Sequence, residues 1–391
     1  MLTPLMIALL AAPQGFNYDE KKVPDYELPP VLAGADSPED WPARRAEIVR
    51  LFEQHVYGVA PPAPEKVTFE ETEERGPGNA WWRGVRADCD LGDGRTFSFP
   101  FHIAVPNGTT KENPAPVIVL IVHPAREKQL GADWSDEEFF PTEMLTAAGF
   151  AVAAVPAAEL APDDQQTFDT KLLKAYGVDR ASNDGDRPAD GCGALAAWGW
   201  GASRVIDYAE EAADLDASRA AVAGHSRGGK AAWWAAARDP RFSISYSNNS
   251  GCGGAALSRR QYGETVARIN DSFPHWFCPK FRDYNGNEEA LPVDQHQLAA
   301  AIAPRAVYAA SASEDAWADP RGEFLSLVEA NPAFTLFGDE PLSADEFPAA
   351  GSQIIRGRRG YHRRPGGHNL TRQDWERFLA FAGGVWAEEE R

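Results

Sequence analysis

The chain has 391 residues, of which 43% are hydrophobic and 25% charged, proportions typical of a folded globular protein. Asp and Glu outnumber Lys and Arg by 58 to 38, which gives a net charge of −20 at pH 7. This charge opposes binding to nucleic acids and to anionic membranes, so neither is an expected partner.

The first fifteen residues, MLTPLMIALLAAPQG, are apolar and end in small residues, but they lack the basic start of a secretory signal. We expect residues 1–15 to be a truncated signal segment of a secreted or periplasmic protein, and residues 16–391 to form a single domain. No later segment has the roughly 18 uninterrupted apolar residues of a membrane helix.

The cysteines are Cys89, Cys192, Cys252 and Cys278. Their spacing does not suit a metal, and Cys252 with Cys278 is the first pairing to consider, against free buried thiols.

Apolar runs and amphipathic segments alternate along most of the chain. Continuous apolar runs of six to eight residues are typical of central strands covered on both faces. Alternating strands and helices predict an α/β fold with a doubly wound, mostly parallel sheet between helices, a three-layer sandwich. We predict a first helix (41–57), a hairpin turning at 92–94 and a closing helix (373–381). Between them, the predicted strands are 116–122, 150–155, 219–223, 242–247 and 306–311, and the predicted helices are 137–148, 195–211 and 324–329.

Residues 224–230 read GHSRGGK, between the predicted strand 219–223 and a helix-forming run at 231–238. A Gly-x-Ser-x-Gly motif in a strand–turn–helix context is typical of the nucleophile elbow of an α/β-hydrolase. Its glycines allow the turn to close and leave the serine hydroxyl accessible. Ser226 is therefore the predicted nucleophile; the alternative is a chance turn of small residues.

A serine nucleophile needs an imidazole base, and in this fold the base follows the nucleophile and the acid along the chain. His368 lies in RRPGGHNLT, a glycine-rich loop just before the last predicted helix. We predict that it is the base. His275, His296 and His362 are interpreted as surface residues or as residues that support the site indirectly.

Three carboxylates follow the predicted strand 306–311, in the segment SASEDAWADP. The carboxyl end of such a strand is the usual position of the third triad member. Asp315 is the favoured acid and Glu314 the second choice. Asp319, just before Pro320, is more typical of a helix cap.

Two cations close to the nucleophile suit an oxygen-rich substrate. The backbone N–H of Arg227 is the natural first donor to an oxyanion, and its guanidinium can add another. Lys230, one helical turn beyond Ser226, is expected on the same face. The alternative is that both are ordinary surface charges.

Further segments resemble those of the bacterial glucuronoyl esterases, which are α/β-hydrolases that cleave esters between 4-O-methyl-glucuronic acid on xylan and lignin alcohols. The resemblance extends from about Trp41 to His368. The segments are GHSRGGK, SNNSGCGGAA (247–256), GETVARIN (263–270), FPHWF (273–277), LPVDQHQL (291–298) and EDAWADPRGEF (314–324).

The resemblance implies roles for individual residues. It places the nucleophile on Ser226, the base on His368 and the oxyanion-assisting arginine on Arg227. Contacts to the sugar are implied for Lys230, Glu264 and Trp317, since aromatic faces beside polar groups suit a pyranose ring.

The chain departs from the fungal members at two points. Fungal members carry the acid in a segment after the elbow where this chain has Asn249, which implies that the acid has moved to Asp315 or Glu314. The fungal disulfide between elbow and histidine loop is absent, since His225 and Asn369 have no sulfur.

The expected function is hydrolysis of (4-O-methyl-)glucuronic acid esters through an acyl-enzyme, by a monomer that needs no metal or organic cofactor. An acetyl xylan esterase, or another carbohydrate esterase with the same triad, is the first alternative. A non-catalytic carbohydrate-binding scaffold is the second.

Overall fold

The computed structural model describes residues 16–75, 80–130, 134–178 and 187–389. Within them, ten strands form one sheet. They are β1 (Lys66–Arg75), β2 (Ala80–Gly92), β3 (Arg95–Pro106), β4 (Ala115–Val122), β5 (Ala151–Pro156), β6 (Leu215–His225), β7 (Ile244–Asn248), β8 (Ala306–Ala312), β9 (Ser352–Arg356) and β10 (Arg359–Arg364).

The order of strands across the sheet is β1-β2-β3-β5-β4-β6-β7-β8-β10-β9. The six central strands, β5, β4, β6, β7, β8 and β10 in spatial order, pair in parallel with one another. The strands β1, β2, β3 and β9 pair antiparallel at the two edges. The predicted mostly parallel sheet of an α/β-hydrolase is therefore confirmed. Because the parallel strands share one carboxyl edge, loops far apart in sequence meet there.

Helices cover both faces of the sheet. They are α1 (Trp41–Phe52), α2 (Pro124–Glu127), α3 (Thr142–Ala147), α4 (Ala157–Leu160), α5 (Leu172–Ala175), α6 (Ala194–Glu211), α7 (Arg227–Arg238), α8 (Val266–Ser272), α9 (Gln295–Ala300), α10 (Pro320–Glu329), α11 (Asn331–Thr335) and α12 (Arg372–Glu389).

Side chains of the central strands point alternately into two apolar cores. In β4, Val119 and Ile121 join the core formed with α6 and α7, whereas Leu120 and Val122 join the core formed with α3 and α12. This alternation is the two-residue period of a strand buried on both sides. The observed three layers thus follow from the apolar runs in the sequence.

The predicted elements differ from the observed ones mainly at their ends. The turn at 92–94 joins β2 to β3 as predicted. The crossover helix predicted at 137–148 is limited to α3, which begins after Pro141, and the closing helix extends to Glu389. The hairpin of β9 and β10 was not predicted.

The predicted signal segment, residues 1–15, lies outside the described residues. Among the helices that the structure describes, none combines the length and apolar character needed to cross a membrane.

Candidate active site

Ser226 lies at the turn between β6 and α7, with φ 56° and ψ −125°. A positive φ is uncommon for a residue with a side chain and marks local strain, which is frequent at functional sites. A Cβ on Gly224 would lie 2.1 Å from the carbonyl oxygen of Gly228, and one on Gly228 would lie 2.7 Å from that of Ile121. Only glycine fits at both positions, so the motif dictates the sharp turn that exposes Ser226.

His368 Nδ1 lies 2.6 Å from Asp315 Oδ2. Asp315 is buried at the carboxyl end of β8, whereas 41% of the His368 side chain is exposed. The ring of His368 also contacts that of His225, the residue before Ser226, with centroids 4.5 Å apart. The structure therefore brings the predicted base and the favoured acid to the elbow. Glu314 is exposed beside them.

Asn249 connects the loops that carry Asp315 and His368. Its Oδ1 accepts a hydrogen bond from Ala312 N at 2.7 Å, and its Nδ2 donates to Asn369 O at 3.0 Å. At φ 47° its backbone is left-handed, a conformation that asparagine tolerates better than most residues. Asn249 is therefore a bridge between the two loops.

The histidine loop is also held from within. Arg364 Nη2 donates to the carbonyl oxygens of Gly367 and Asn369 at 2.9 and 3.1 Å. Its Nε bonds Asp374 Oδ2 at 2.8 Å, and Asp374 Oδ1 lies 2.7 Å from His362 Nε2. These bonds fix the backbone on both sides of His368.

The guanidinium of Arg227 lies over the ring of Trp276, 4.6 Å from its centroid, and bonds Asp163 through Nη1. Asp163 Oδ1 also lies 2.9 Å from His275 Nε2 and accepts from Trp276 Nε1 at 2.6 Å. Burial opposes ionisation of Asp163, but these donors and the charge of Arg227 hold its pKa well below the usual range. Arg227 Nε is buried without a hydrogen-bond partner among the described residues.

Lys230 is 3% exposed, so the alternative of a surface charge is wrong for this residue. Its Nζ donates to Ser250 O and Cys252 O, both at 2.6 Å, and to Glu264 Oε2 at 2.9 Å. An ammonium has three N–H donors, and all three have acceptors here.

Glu323 is fully buried beneath the loop that receives Lys230. It accepts hydrogen bonds from Ser250 N at 2.6 Å, Gly251 N at 2.9 Å and Ser311 Oγ at 2.5 Å. Burial raises its pKa to about 8, although these donors favour the ionised form. Glu323 thereby holds the loop in place from the side opposite Lys230.

Trp317 and Glu264 lie side by side at the edge of this loop. Glu264 N donates to Trp317 O at 2.9 Å. A Cβ on Gly263 would lie 2.4 Å from the same oxygen, so the close approach requires glycine. Trp317 is half-buried, and the ring of Phe16 packs edge-on against it, with centroids 4.8 Å apart.

Of the two interpretations given for His275, His296 and His362, a surface position is wrong, because these side chains are at most 5% exposed. His275 bonds Asp163, which bonds Arg227, so it supports the site indirectly. His362 does so through Asp374, whereas His296 Nε2 lies 2.9 Å from Pro29 O in another part of the molecule. Each buried ring is accommodated by a polar partner that local sequence does not identify.

The pairing of Cys252 with Cys278 is also wrong, since all four cysteines are free and buried. Burial raises the pKa of Cys278 to about 11 and that of Cys252 well above its ordinary value. Asp319 does cap a helix, as predicted: its Oδ1 accepts from Gly322 N at the start of α10, at 2.9 Å.

Sequence reasoning missed several residues of the site. Asp163, Asn249 and Glu323 act on partners 64, 63 and 73 positions away, so no local pattern identified their contacts. His123 directly follows the buried strand β4, at the edge where sites form, and that position was an available signal. Among the described residues, no three His, Cys, Asp or Glu side chains lie close enough together to hold a metal ion.

Comparisons with known proteins identify the family of this chain. A family model described as fungal glucuronyl esterase matches residues 91–338. Carbohydrate esterase MZ0003, from an unknown prokaryotic organism, is 37% identical over 95% of this chain and 92% of its own. The 4-O-methyl-glucuronoyl methylesterase of Schizophyllum commune is 29% identical over 77% of this chain and 70% of that protein.

Solved structures match along almost the whole chain. A glucuronoyl esterase from Solibacter usitatus superposes with a TM-score of 0.82 at 35% identity, over 94% of this chain and 100% of its own. A structure described as a promiscuous CE15 esterase from the marine bacterial metagenome gives a TM-score of 0.80 at 36% identity, over 94% and 99% of the two chains.

Proposed function

The chain belongs to the glucuronoyl esterase family, carbohydrate esterase family 15, and on this premise we propose that it is a serine esterase that hydrolyses esters of (4-O-methyl-)glucuronic acid. Such esters join glucuronoxylan to lignin alcohols. The observation that carries the proposal for this chain is the 2.6 Å contact of His368 with Asp315 beside the strained elbow of Ser226.

The first step is acylation. Ser226 Oγ attacks the C6 carbonyl of the uronate ester, while His368 Nε2 takes the hydroxyl proton and then gives it to the leaving alcohol. Asp315 keeps the proton of His368 on Nδ1 and stabilises the imidazolium that forms. Support for this assignment comes from the burial of Asp315 and from the exposure of His368 toward solvent.

The second step is hydrolysis of the acyl-enzyme by water, activated by the same imidazole. In both steps the developing oxyanion accepts hydrogen bonds from the backbone N–H and the side-chain Nε–H of Arg227. The guanidinium is fixed by Asp163 and Trp276, and its Nε has no hydrogen-bond partner among the residues that the structure describes, which supports this role. The fixed guanidinium does not have to reorganise as the oxyanion forms.

The uronate ring lies against Trp317 and Glu264, with Lys230 behind them. Because the three donors of Lys230 already have acceptors, its main effect on the sugar is to orient Glu264 and the carbonyls of the 250–252 loop. A direct bond from Lys230 to a sugar hydroxyl requires the exchange of one of these acceptors.

A broader carbohydrate esterase is the second candidate. The observation that favours it is the likeness, at 36% identity, to a structure described as a promiscuous CE15 esterase. The two candidates share the triad and differ only in the preferred acyl group, which in the second includes the acetyl groups of xylan.

The test compares benzyl glucuronate with acetylated xylan as substrates for the wild type and for Ser226→Ala. We expect hydrolysis of the uronate ester by the wild type and its loss in Ser226→Ala at an unchanged melting temperature. Equal hydrolysis by both proteins would disprove Ser226 as the nucleophile. A wild type that cleaves only acetyl groups would favour the second candidate.

The proposal extends to the location, assembly and domain organisation of the enzyme, and a polymeric plant substrate supports the location. The enzyme acts outside the cytoplasm, as a monomer that needs no cofactor, with residues 16–391 as one catalytic domain; the single sheet from β1 to β10 supports the last point. Fractionation of producing cells and sedimentation of the purified protein test the location and the oligomeric state.

A further inference from the structure

His123 is a buried imidazole directly after β4, the strand next to the one that leads into the elbow. In the parallel pairing of β4 with β6, Ile121 is level with Gly224, so His123, two residues further on, comes level with Ser226. His123 is 5% exposed, and neither of its ring nitrogens has a hydrogen-bond partner in the described part of the chain. Leaving a buried polar group without a partner is costly, so two such atoms in one ring require an explanation.

The groups around His123 are those of the active site. Its ring centroid lies 6.3 Å from that of His225, which contacts His368. Burial lowers the pKa of His123 to about 3, and the charge of Arg227 contributes; Arg126 and His368 act in the same direction, and Asp163 opposes them. At neutral pH the ring is therefore uncharged, with one N–H donor and one lone pair.

The backbone of this turn supplies few donors. In α/β-hydrolases, the loop after this strand commonly gives an N–H to the oxyanion. Here Pro124 has no N–H, and the N–H groups of Arg126 and Glu127 both donate to His123 O, at 2.8 and 3.1 Å. In α2, the backbone N–H of Ala125 is therefore the one that remains to donate to an oxyanion.

We propose that His123 is a catalytic residue, whose neutral imidazole donates a ring N–H to the carbonyl oxygen of the bound ester and stabilises the oxyanion. This inference rests on the proposed esterase function and adds a third donor to the two of Arg227. A neutral imidazole suits the position, because it stabilises a developing negative charge without placing a second cation beside Arg227.

The test uses a matched pair of variants, His123→Met and His123→Gln, which have similar length but of which only Gln keeps an N–H donor. For benzyl glucuronate, kcat should fall by about 100-fold in His123→Met and by less than about 10-fold in His123→Gln, with KM nearly constant, because the donor acts on the transition state. His123→Phe, which keeps the ring, should match His123→Met. His296→Phe removes a buried imidazole away from the elbow and should keep the wild-type kcat.

Three results would overturn the inference: an unchanged kcat in both His123→Met and His123→Phe, a rise in KM alone, or an equal loss in the Gln and Met variants at similar melting temperatures. The same series is measured on 4-nitrophenyl acetate, which presents an ester carbonyl without the uronate. A donor effect on that substrate supports His123 even if the wild type ignores glucuronate esters, in which case only the proposed substrate class fails.

Discussion

The buried ring of His225 lies against the exposed ring of His368, with centroids 4.5 Å apart and a tilt of 45°. His225 Nδ1 lies 2.7 Å from Asn248 Oδ1, and burial, followed by the charge of His368, lowers the pKa of His225 well below its ordinary value. His225 is therefore uncharged, and its ring packs against His368 without placing a second positive charge beside it. The ring contact connects the elbow to the histidine loop.

Asp315→Asn should lower kcat by about 10⁴-fold while leaving the melting temperature close to that of the wild type, because an amide stabilises the wrong imidazole tautomer. Kinetics on benzyl glucuronate measure the effect. The adjacent Glu314→Gln is the matched control, and its kcat should remain within about twofold of wild type. The reverse pattern would make Glu314 the acid.

Lys230→Met should destabilise the fold by about 3–5 kcal/mol, because it leaves the Glu264 carboxylate and two carbonyls without their buried cation. Urea unfolding measures this loss. The double variant Lys230→Met with Glu264→Gln should recover part of the stability but keep a KM at least about tenfold above wild type. Full recovery of both quantities would show that the pair is only structural.

Asn249→Gly should keep the left-handed backbone but lose the bonds to Ala312 and Asn369. We expect kcat to fall about 10-fold or more at nearly constant KM, since the loops of Asp315 and His368 lose their bridge. Asn249→Asp is the informative partner. It keeps the acceptor for Ala312 N, removes the donor to Asn369 O and places a second carboxylate near the site; a normal kcat in both variants would contradict the bridging role.

The free energy of unfolding should decrease as the pH falls below about 6.5. His123 and His225 have lowered pKa values, so in that range the unfolded chain binds protons that the folded chain does not. Each neutral buried histidine then contributes a loss of about 1.4 kcal/mol per pH unit, for His123 down to its folded pKa of about 3.

Urea unfolding at several values from pH 5 to pH 8 tests this dependence. Above pH 7 these histidines are neutral in both states and contribute no slope. His123→Met should reduce the slope below pH 6.5 by about 1.4 kcal/mol per pH unit relative to wild type. An identical slope in the two proteins would mean that His123 is protonated in the folded state.

Local sequence was sufficient for the central sheet, because runs such as that of β4 must be buried on both faces. It failed for β10, whose buried Arg359, His362 and Arg364 look like a polar loop until their partners are known. Arg359, for example, donates to Glu340 O at 2.7 Å, across a separation that no periodicity reveals.

The candidate site divides in the same way. Ser226, Asp315 and His368 were identified as candidates from the sequence. Their local signatures are an elbow, the carboxyl end of a strand and a glycine-rich loop before the last helix. Their catalytic roles stay predictions until the variants are measured. The residues that hold the site together come from other loops, such as Asn249 between the loops of Asp315 and His368, and Asp163 on Arg227. Only the folded chain brings them into contact.

The free cysteines bear on how the protein can be made. Since all four cysteines are buried and none forms a disulfide, the native state forms without any oxidation step. A host with a reducing cytoplasm should yield the same active enzyme as an export pathway, and millimolar dithiothreitol should leave its melting curve in place.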